Sequence, residues 1–245
     1  GIDHLVDLPG VGKNLQDHLE VYVQQECLSP ITLYKYWNWV SKLAIGAKWL
    51  ATKKGFGATN HFESAAFVRS NSGVKYPDVQ FHFLPFAVRY DGTAVKQGHG
   101  FQVHVGPMRS NSRGSVQLSN KNFSSTPRIK FNYMSTQQDW IDFRKCIAIA
   151  REIFSQKSLE KYRGAEIHPG DTVKTDQEID KFIAENAESA YHPCGTCKMG
   201  IDEMAVVDEN LKVKGVQNLR VVDASVMPEI PSANLNAPTL MIAEK

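Results

Sequence analysis

Cysteine is scarce, at four in 245 residues. That is too few for a disulfide framework in a chain of this size, and it fits a reducing compartment. An excess of charge of one sign is also missing. Lys and Arg number 28 against 26 Asp and Glu, a formal net charge of +2. The basic residues are scattered, which excludes the electrostatic footprint of a nucleic-acid binder. No apolar run approaches the length a bilayer requires, and the opening residues carry no signal-peptide pattern. A glycine-rich phosphate loop is lacking as well. GVGKNL at 10–15 starts as G-x-G-x-x-G would, but Leu15 stands where the third glycine belongs and no strand–turn–helix context surrounds it. These residues are therefore not expected to cradle a dinucleotide's pyrophosphate. The chain starts GIDHLVDLPG without Met and stops in PTLMIAEK, a helical pattern with no closing Gly or Pro. It reads as an internal piece of a longer protein.

What is present is ordinary globular material, 42% hydrophobic and 22% charged, enough for one large domain or two modest ones. Leu33, Trp37, Val40, Leu43, Ala44, Ala47 and Leu50 recur at helical spacing, predicting a helix over 31–53 that GFG at 55–57 ends. The period then falls to two. Val79, Phe81 and Phe83, then Phe101, Val103 and Val105, then Val116 and Leu118, then Ile129 and Phe131 alternate with polar residues. Turn-rich RSNSRG and SNKNFSSTP separate them, and the pattern predicts an antiparallel sheet with one face buried. Ser135 is a candidate N-cap for a helix through Gln156, with Trp140, Phe143, Ile147, Ala150, Ile153 and Phe154 as its buried stripe. TDQE at 175–178 is a capping box opening a helix to about Ala187. LRVVDASVMP at 219–228 reads as an apolar strand followed by an acidic turn, and Pro238 suits the first turn of a last helix. The fold class is α+β, with both ends reading as parts of an α/β layer.

YHPCGTCKMG at 191–200 is the most unusual stretch. Cys194 and Cys197 form C-x-x-C, yet Cys27 and Cys146 are isolated, so a four-ligand zinc site has no second pair. A redox dithiol belongs at a helix N-terminus just after a strand, whereas this pair follows a helix and a loop. Two small buried thiols is the reading the context favours, and no metal is expected. His192 differs, because a loop imidazole titrating near neutrality suits a proton acceptor, although an isolated His is more often structural. Glu63, in NHFESAAFV, is a carboxylate flanked by Phe62, Ala65, Ala66 and Phe67. Such a charge needs a partner, either an ordinary Lys or Arg or a cationic ligand.

Taken in order, LPGVGKNLQDH at 8–18, YHPCGTCKMG at 191–200 and NLRVVDASVMPEIPSANLNAPTLMIAEK at 218–245 resemble the C-terminal half of the glucose–methanol–choline flavin oxidoreductases. NHFESAAF, VQFHFLP, HGFQVHVGPMRSNSRGSV and RGAEIHPG resemble the choline-oxidising members of that family. The resemblance covers essentially the whole chain. It implies an antiparallel-sheet substrate domain backed by helices, with flanking segments of an FAD-binding α/β domain. Residues 1–25 would pack on the FAD domain, 26–189 would form the substrate domain, and 190–245 would complete the FAD domain. The glycine-rich fingerprint belongs to the family's other half.

The resemblance also implies roles. FAD is the cofactor, His192 accepts the alcohol proton, and Asn236 is its partner. Asp223 and Ala224 touch the cofactor near its ribityl and phosphate portion, while Asn236, Ala237 and Thr239 run close to the flavin ring. Glu63 faces a trimethylammonium head and Tyr191 lines that cage, with Phe62, His82 and His99 as further candidates. A quaternary ammonium has no N–H to donate, so charge and aromatic faces must recognise it. The implied reaction oxidises choline to betaine aldehyde and on to glycine betaine, for osmotic protection. The implied acceptor is quinone-type, in the bacterial cytoplasm with peripheral contact at the inner face of the cell membrane. The isolated residues are expected to be inactive. A family member acting on a neutral aliphatic or aryl alcohol, or a non-catalytic domain of this fold, is the alternative.

Overall fold

A computed structural model of the chain describes residues 5–62, 64–95, 97–122 and 124–245. The chain divides into two compact units. One comprises Glu20–Gly106 and Asp142–Glu188; the other comprises the residues up to Leu19, Pro107–Ile141 and Ser189–Lys245. Of the expected span 26–189, residues 107–141 group with the other unit. Backbone pairing explains the transfer, since Val116 N donates to Gly12 O at 2.7 Å and Gly114 exchanges bonds with Leu15 at 2.8 and 3.1 Å.

The first unit is built on an antiparallel sheet. Its strands are β1 (Leu19–Cys27), β2 (Ser64–Val68), β3 (Val79–Leu84), β4 (Gly100–Pro107) and β7 (Arg163–His168), in the order β2-β3-β4-β1-β7. A two-residue strand, β8 (Glu188–Ser189), also pairs β1. β1 and β4 align Val21 with Val105 and Val23 with Val103, one apolar face. Helix α2 (Gln137–Ser155) supplies Phe143, Ile147, Ala150 and Phe154 as buried side chains, and Phe154 meets Phe101 edge to face at 5.2 Å. The stripe expected for this helix is thus the core stripe, apart from Trp140, which is half-buried, and Ile153, which is 39% exposed.

The opposite face of the sheet was expected to be solvated. Every residue of β4 is instead buried. Gln24 lies opposite Gln102 and donates to its Oε1 at 2.7 Å, and both amides also engage the main chain of Val88, at 2.8 Å each. Gln102 Nε2 lies 2.8 Å from His104 Nε2, and His104 Nδ1 lies 3.0 Å from Glu20 Oε1. Tyr22 stacks on both His104 and Tyr90. The polar alternation was real, but these side chains satisfy one another beneath the segment around Val88 instead of meeting water.

Helix α1 (Trp39–Thr52) starts later than expected, because Asn38 accepts from Ser41 N at 2.9 Å and caps it, while Leu33–Tyr36 form a separate 3₁₀ turn. None of its residues is buried in this chain, and Leu43 and Leu50 are 66% and 67% exposed. The stripe has Trp37 against Phe86, with ring centroids 4.7 Å apart, but leaves Leu43 and Leu50 uncovered in this chain. Helix α3 (Asp176–Asn186) carries the expected capping box between Thr175 and Glu178.

In the second unit, β5 (Ser115–Gln117) and β6 (Arg128–Lys130) form a separate two-stranded sheet rather than joining the main one. At the start of α2, Ser135 gives its hydroxyl to Ser112, and Thr136 accepts from Asp139 N at 3.3 Å as the capping side chain. Residues 219–228 make no strand. Arg220 forms one bridge with Lys212, and Ala224–Val226 turn as a 3₁₀ helix capped by Asp223. A strand needs a neighbour for its backbone groups, and here the pairing is confined to the bonds between Leu219 and Val213 and between Val221 and Leu211, at 3.0 and 3.1 Å. Helix α4 (Asn236–Glu244) closes the chain, with Pro238 in its first turn as expected.

Candidate active site

The second unit folds the NLQDH segment against the HPCGT loop. Gln16 and Cys194 exchange backbone bonds at 3.0 and 2.9 Å, and Ala190 N donates to His18 O at 2.8 Å. Gln16 then spans to the C-terminal segment, donating to Pro228 O at 3.2 Å and accepting from Ile230 N at 3.1 Å. Gly12 sits under this arrangement with φ +74, and a Cβ there would lie 2.0 Å from Val116 O. Its glycine serves a left-handed backbone and a close approach, which accounts for the incomplete dinucleotide fingerprint.

Asp17 is the clamp. It is 5% exposed, and its carboxylate accepts from His18 N and His192 N at 2.9 Å and from the hydroxyls of Tyr133 and Ser189 at 2.6 Å. Ser189 Oγ in turn accepts from Tyr191 N at 2.9 Å, and Tyr191 adopts φ +60. The loop's backbone is thus fixed at Ser189, Tyr191 and His192 through one buried carboxylate, which sets where the imidazole leaves the chain before any substrate arrives.

The ring of His192 has a partner at each nitrogen. Its Nδ1 lies 3.0 Å from His18 Nδ1, and its Nε2 lies 3.2 Å from Asn234 Nδ2. Asn234 is exposed, so the Nε2 side is the open side of the ring. His18 is buried, and burial first, then the neighbouring His192, push its pKa down to about 4. It is neutral at physiological pH.

The expected partner of His192, Asn236, is the first residue of α4, whereas the structure brings Asn234 to the imidazole. Leu235 between them is 5% exposed and packs with Cys194, Met227 and Ile230. Two asparagines flank one anchoring leucine, and sequence alone gives no reason to prefer the first. Asp17 and His18, within LPGVGKNLQDH, are functional neighbours of His192 that sequence reasoning does not single out. The signal was two polar residues, one acidic, placed immediately before an apolar strand.

The other predicted residues fall as follows. Asp223 is exposed and caps the 3₁₀ turn, its Oδ1 accepting from Ser225 N at 2.8 Å. Ala224 O accepts from Gly195 N at 3.3 Å, and Cys197 N donates to Ser225 O at 2.8 Å, so the 223–226 segment borders the His192 loop. Asn236 and Ala237 are exposed at the start of α4, where Leu235 supplies no side-chain cap. The first-turn N–H groups there are left for another acceptor. Thr239 gives its hydroxyl to Leu235 O at 2.7 Å. Tyr191 is 83% exposed. Glu63 lies outside the described residues. In the other unit, Phe62 contacts both His82 and His104 edge to face, while His99 Nδ1 lies 2.7 Å from Thr32 Oγ1.

The cysteines are packing residues. Cys194 is 2% exposed, and burial, then Asp17, push its thiol up to about 12; burial also raises Cys197. A thiol held protonated is neither a ready nucleophile nor a ready ligand. Among the described residues no group of three or more His, Cys, Asp or Glu could hold a metal ion.

The chain matches the family model described as GMC oxidoreductase over residues 110–243 and belongs to that family. It is 63% identical over 247 residues to the oxygen-dependent choline dehydrogenase of Brucella ovis, an alignment covering 100% of this chain and 45% of that protein. The protein of the same name from Vibrio vulnificus is 56% identical over 247 residues, 100% of this chain and 44% of its own length. The chain thus spans somewhat under half the length of these curated relatives. Among solved structures, pyridoxine 4-oxidase from Mesorbium loti superposes at TM-score 0.81 and 31% identity, covering 100% of this chain and 44% of that one. Formate oxidase from Aspergillus oryzae RIB40 superposes at TM-score 0.91 and 22% identity, covering 100% of this chain and 48% of that one, a likeness of fold. Among the described residues no helix is long and apolar enough to cross a membrane.

Proposed function

We propose that this chain is the C-terminal part of an FAD-dependent alcohol dehydrogenase that oxidises choline to betaine aldehyde and on to glycine betaine. The observation that carries the reading is the position of His192, clamped by Asp17 and facing Asn234, in a chain so similar over its whole length to the choline dehydrogenases. The residues present fit one end of a flavin. The uncapped first turn of α4 offers N–H donors to a carbonyl of the ring, and Asp223 to Val226 border the His192 loop where the rest of the cofactor would run. The pyrophosphate cradle would come from the part of the protein outside this chain.

His192 Nε2 takes the hydroxyl proton of the alcohol, and Asn234 Nδ2–H donates to the oxygen as negative charge develops on it. When bound, FAD supplies the two-electron acceptor for the hydride that leaves the α-carbon. The alcohol carbon would leave as the aldehyde, and the hydroxyl proton rests on His192. Asp17 holds the His192 backbone and His18 and Asn234 hold its ring, so orientation is supplied in advance. Asn236, Ala237 and Thr239 are assigned to the cofactor's edge, as are Asp223 and Ala224, and Tyr191 with Glu63 to the substrate's cation.

A quinone-type acceptor, reached at the inner face of the bacterial cell membrane, is the proposed route for the electrons. The relatives' name, oxygen-dependent, favours dioxygen as a second reading. Anaerobic titration of the full-length, flavin-loaded protein tests the whole proposal. Choline should bleach the flavin absorbance, and Glu63→Gln should weaken choline binding far more than binding of a neutral alcohol of similar size. Bleaching by neutral alcohols alone would replace choline as the substrate. Reoxidation by air against reoxidation by a soluble quinone then decides the acceptor.

A further inference from the structure

Three atoms' hydrogen-bonding capacities fix a proton's position in this site. A backbone carbonyl can only accept, so the 3.2 Å contact between His18 Nε2 and Met108 O places a proton on that nitrogen. His18 is buried and neutral, so the same ring has no second proton, and its Nδ1 is an acceptor. The 3.0 Å contact between the two Nδ1 atoms then requires the hydrogen to belong to His192. A neutral His192 carrying its proton on Nδ1 has a lone pair on Nε2, and the Asn234 amide donates to it at 3.2 Å. The chain of bonds runs in one direction, from Asn234 through His192 and His18 to the Met108 carbonyl.

We propose that His18 is a positioning residue that locks His192 in the tautomer whose Nε2 is the free base. The inference rests on the reading of His192 as the proton acceptor and adds what makes that nitrogen available. Without an acceptor at Nδ1, a histidine distributes its proton between both nitrogens, and the molecules protonated at Nε2 cannot accept the alcohol's proton. With it, the base exists in one form. When His192 becomes an imidazolium, its Nδ1–H still points at His18, so that bond is kept during the transfer, while the Asn234 amide leaves Nε2 for the substrate oxygen. His18 does not take the proton onward, because burial and the neighbouring His192 hold its pKa down to about 4. The groups facing His18 are His192, the charge of Arg109, and the carbonyls of Met108 and Pro231. Asp17 accepts from the backbone N–H groups of both histidines. None of these can replace an acceptor at His192 Nδ1.

Two measurements on the full-length, flavin-loaded protein test this. In ¹⁵N-histidine-labelled unmodified protein, with the His192 signals assigned through His192→Ala, Nδ1 should carry the hydrogen and Nε2 should not. A neutral His192 protonated at Nε2 overturns the proposal. In the second, anaerobic flavin reduction is followed in His18→Leu and His18→Asn. The leucine removes the acceptor and should slow reduction by about 10- to 100-fold, the range seen when a supporting hydrogen-bond partner is deleted. The asparagine can place its amide oxygen near the lost Nδ1 and should recover most of the rate. Leucine at the unmodified rate, or asparagine as slow as leucine with flavin bound, overturns it. If the leucine variant does not fold, the asparagine variant and the tautomer decide. His192→Ala reducing flavin at the unmodified rate would sink the proton-acceptor reading itself, a failure separate from a wrong tautomer.

Discussion

His18 and His192 meet Nδ1 to Nδ1 at 3.0 Å, with their ring planes 87° apart, although 174 residues separate them along the chain. The contact joins the NLQDH segment to the HPCGT loop, and it makes one buried imidazole depend on the protonation of another.

That dependence has a pH signature. The pKa of His18 falls from 6.5 to about 4 on folding, through burial first and His192 second. A group whose folded pKa is depressed binds its proton more readily in the unfolded chain, so stability is full above pH 6.5 and is lost as pH falls toward 4. A shift of this size is worth roughly 3 kcal/mol. The urea midpoint should therefore be level above neutrality and decline below about pH 6.5, and His18→Asn should flatten that decline. A midpoint equally steep in both proteins would assign the loss to other groups.

Asp17 is expected to matter more for the loop than any single residue around it. Four donors converge on its carboxylate. Asp17→Ala leaves two backbone N–H groups and two hydroxyls without that partner and should cost about 3–5 kcal/mol by chemical denaturation, as loss of one partner of a buried charged network does. Asp17→Asn keeps one acceptor oxygen and should cost less. Equal stability of the alanine variant and the unmodified protein would contradict the clamp.

Much of this architecture was legible beforehand. The capping box at Thr175 and Glu178, the α2 stripe from Phe143 to Phe154, and the alternation of β3 and β4 each depend on neighbours a few residues away, and local periodicity reports them. What failed depends on distant partners. β1 hid because Gln24 and Gln25 are both buried, which breaks the polar–apolar alternation that marks a half-exposed strand. The α1 stripe was visible, yet nothing local says whether it is covered, and in this chain Leu43 and Leu50 are not. In the site, His192 was found because a loop imidazole is conspicuous. Asn234, Asp17 and His18 were not, since their roles come from contacts made across most of the chain's length.

The two asparagines of NLN can be separated directly. Asn234 touches His192 Nε2, whereas Asn236 opens α4. Asn234→Ala should lower the rate of flavin reduction by about 10- to 1000-fold, as loss of a donor to a developing oxyanion does. Asn236→Ala should act chiefly on flavin retention. The reverse ordering would return the role to Asn236 and make the Asn234 contact incidental.

The most direct measurement is single-turnover reduction of the bound flavin by choline in the full-length protein, comparing His192→Ala with the unmodified enzyme at equal flavin content. Removal of a general base predicts a rate lower by about 10²- to 10⁴-fold. Part of that loss should be restored as pH is raised and the alcohol ionises without help. An unchanged rate, with flavin fully bound, would contradict the account at its centre.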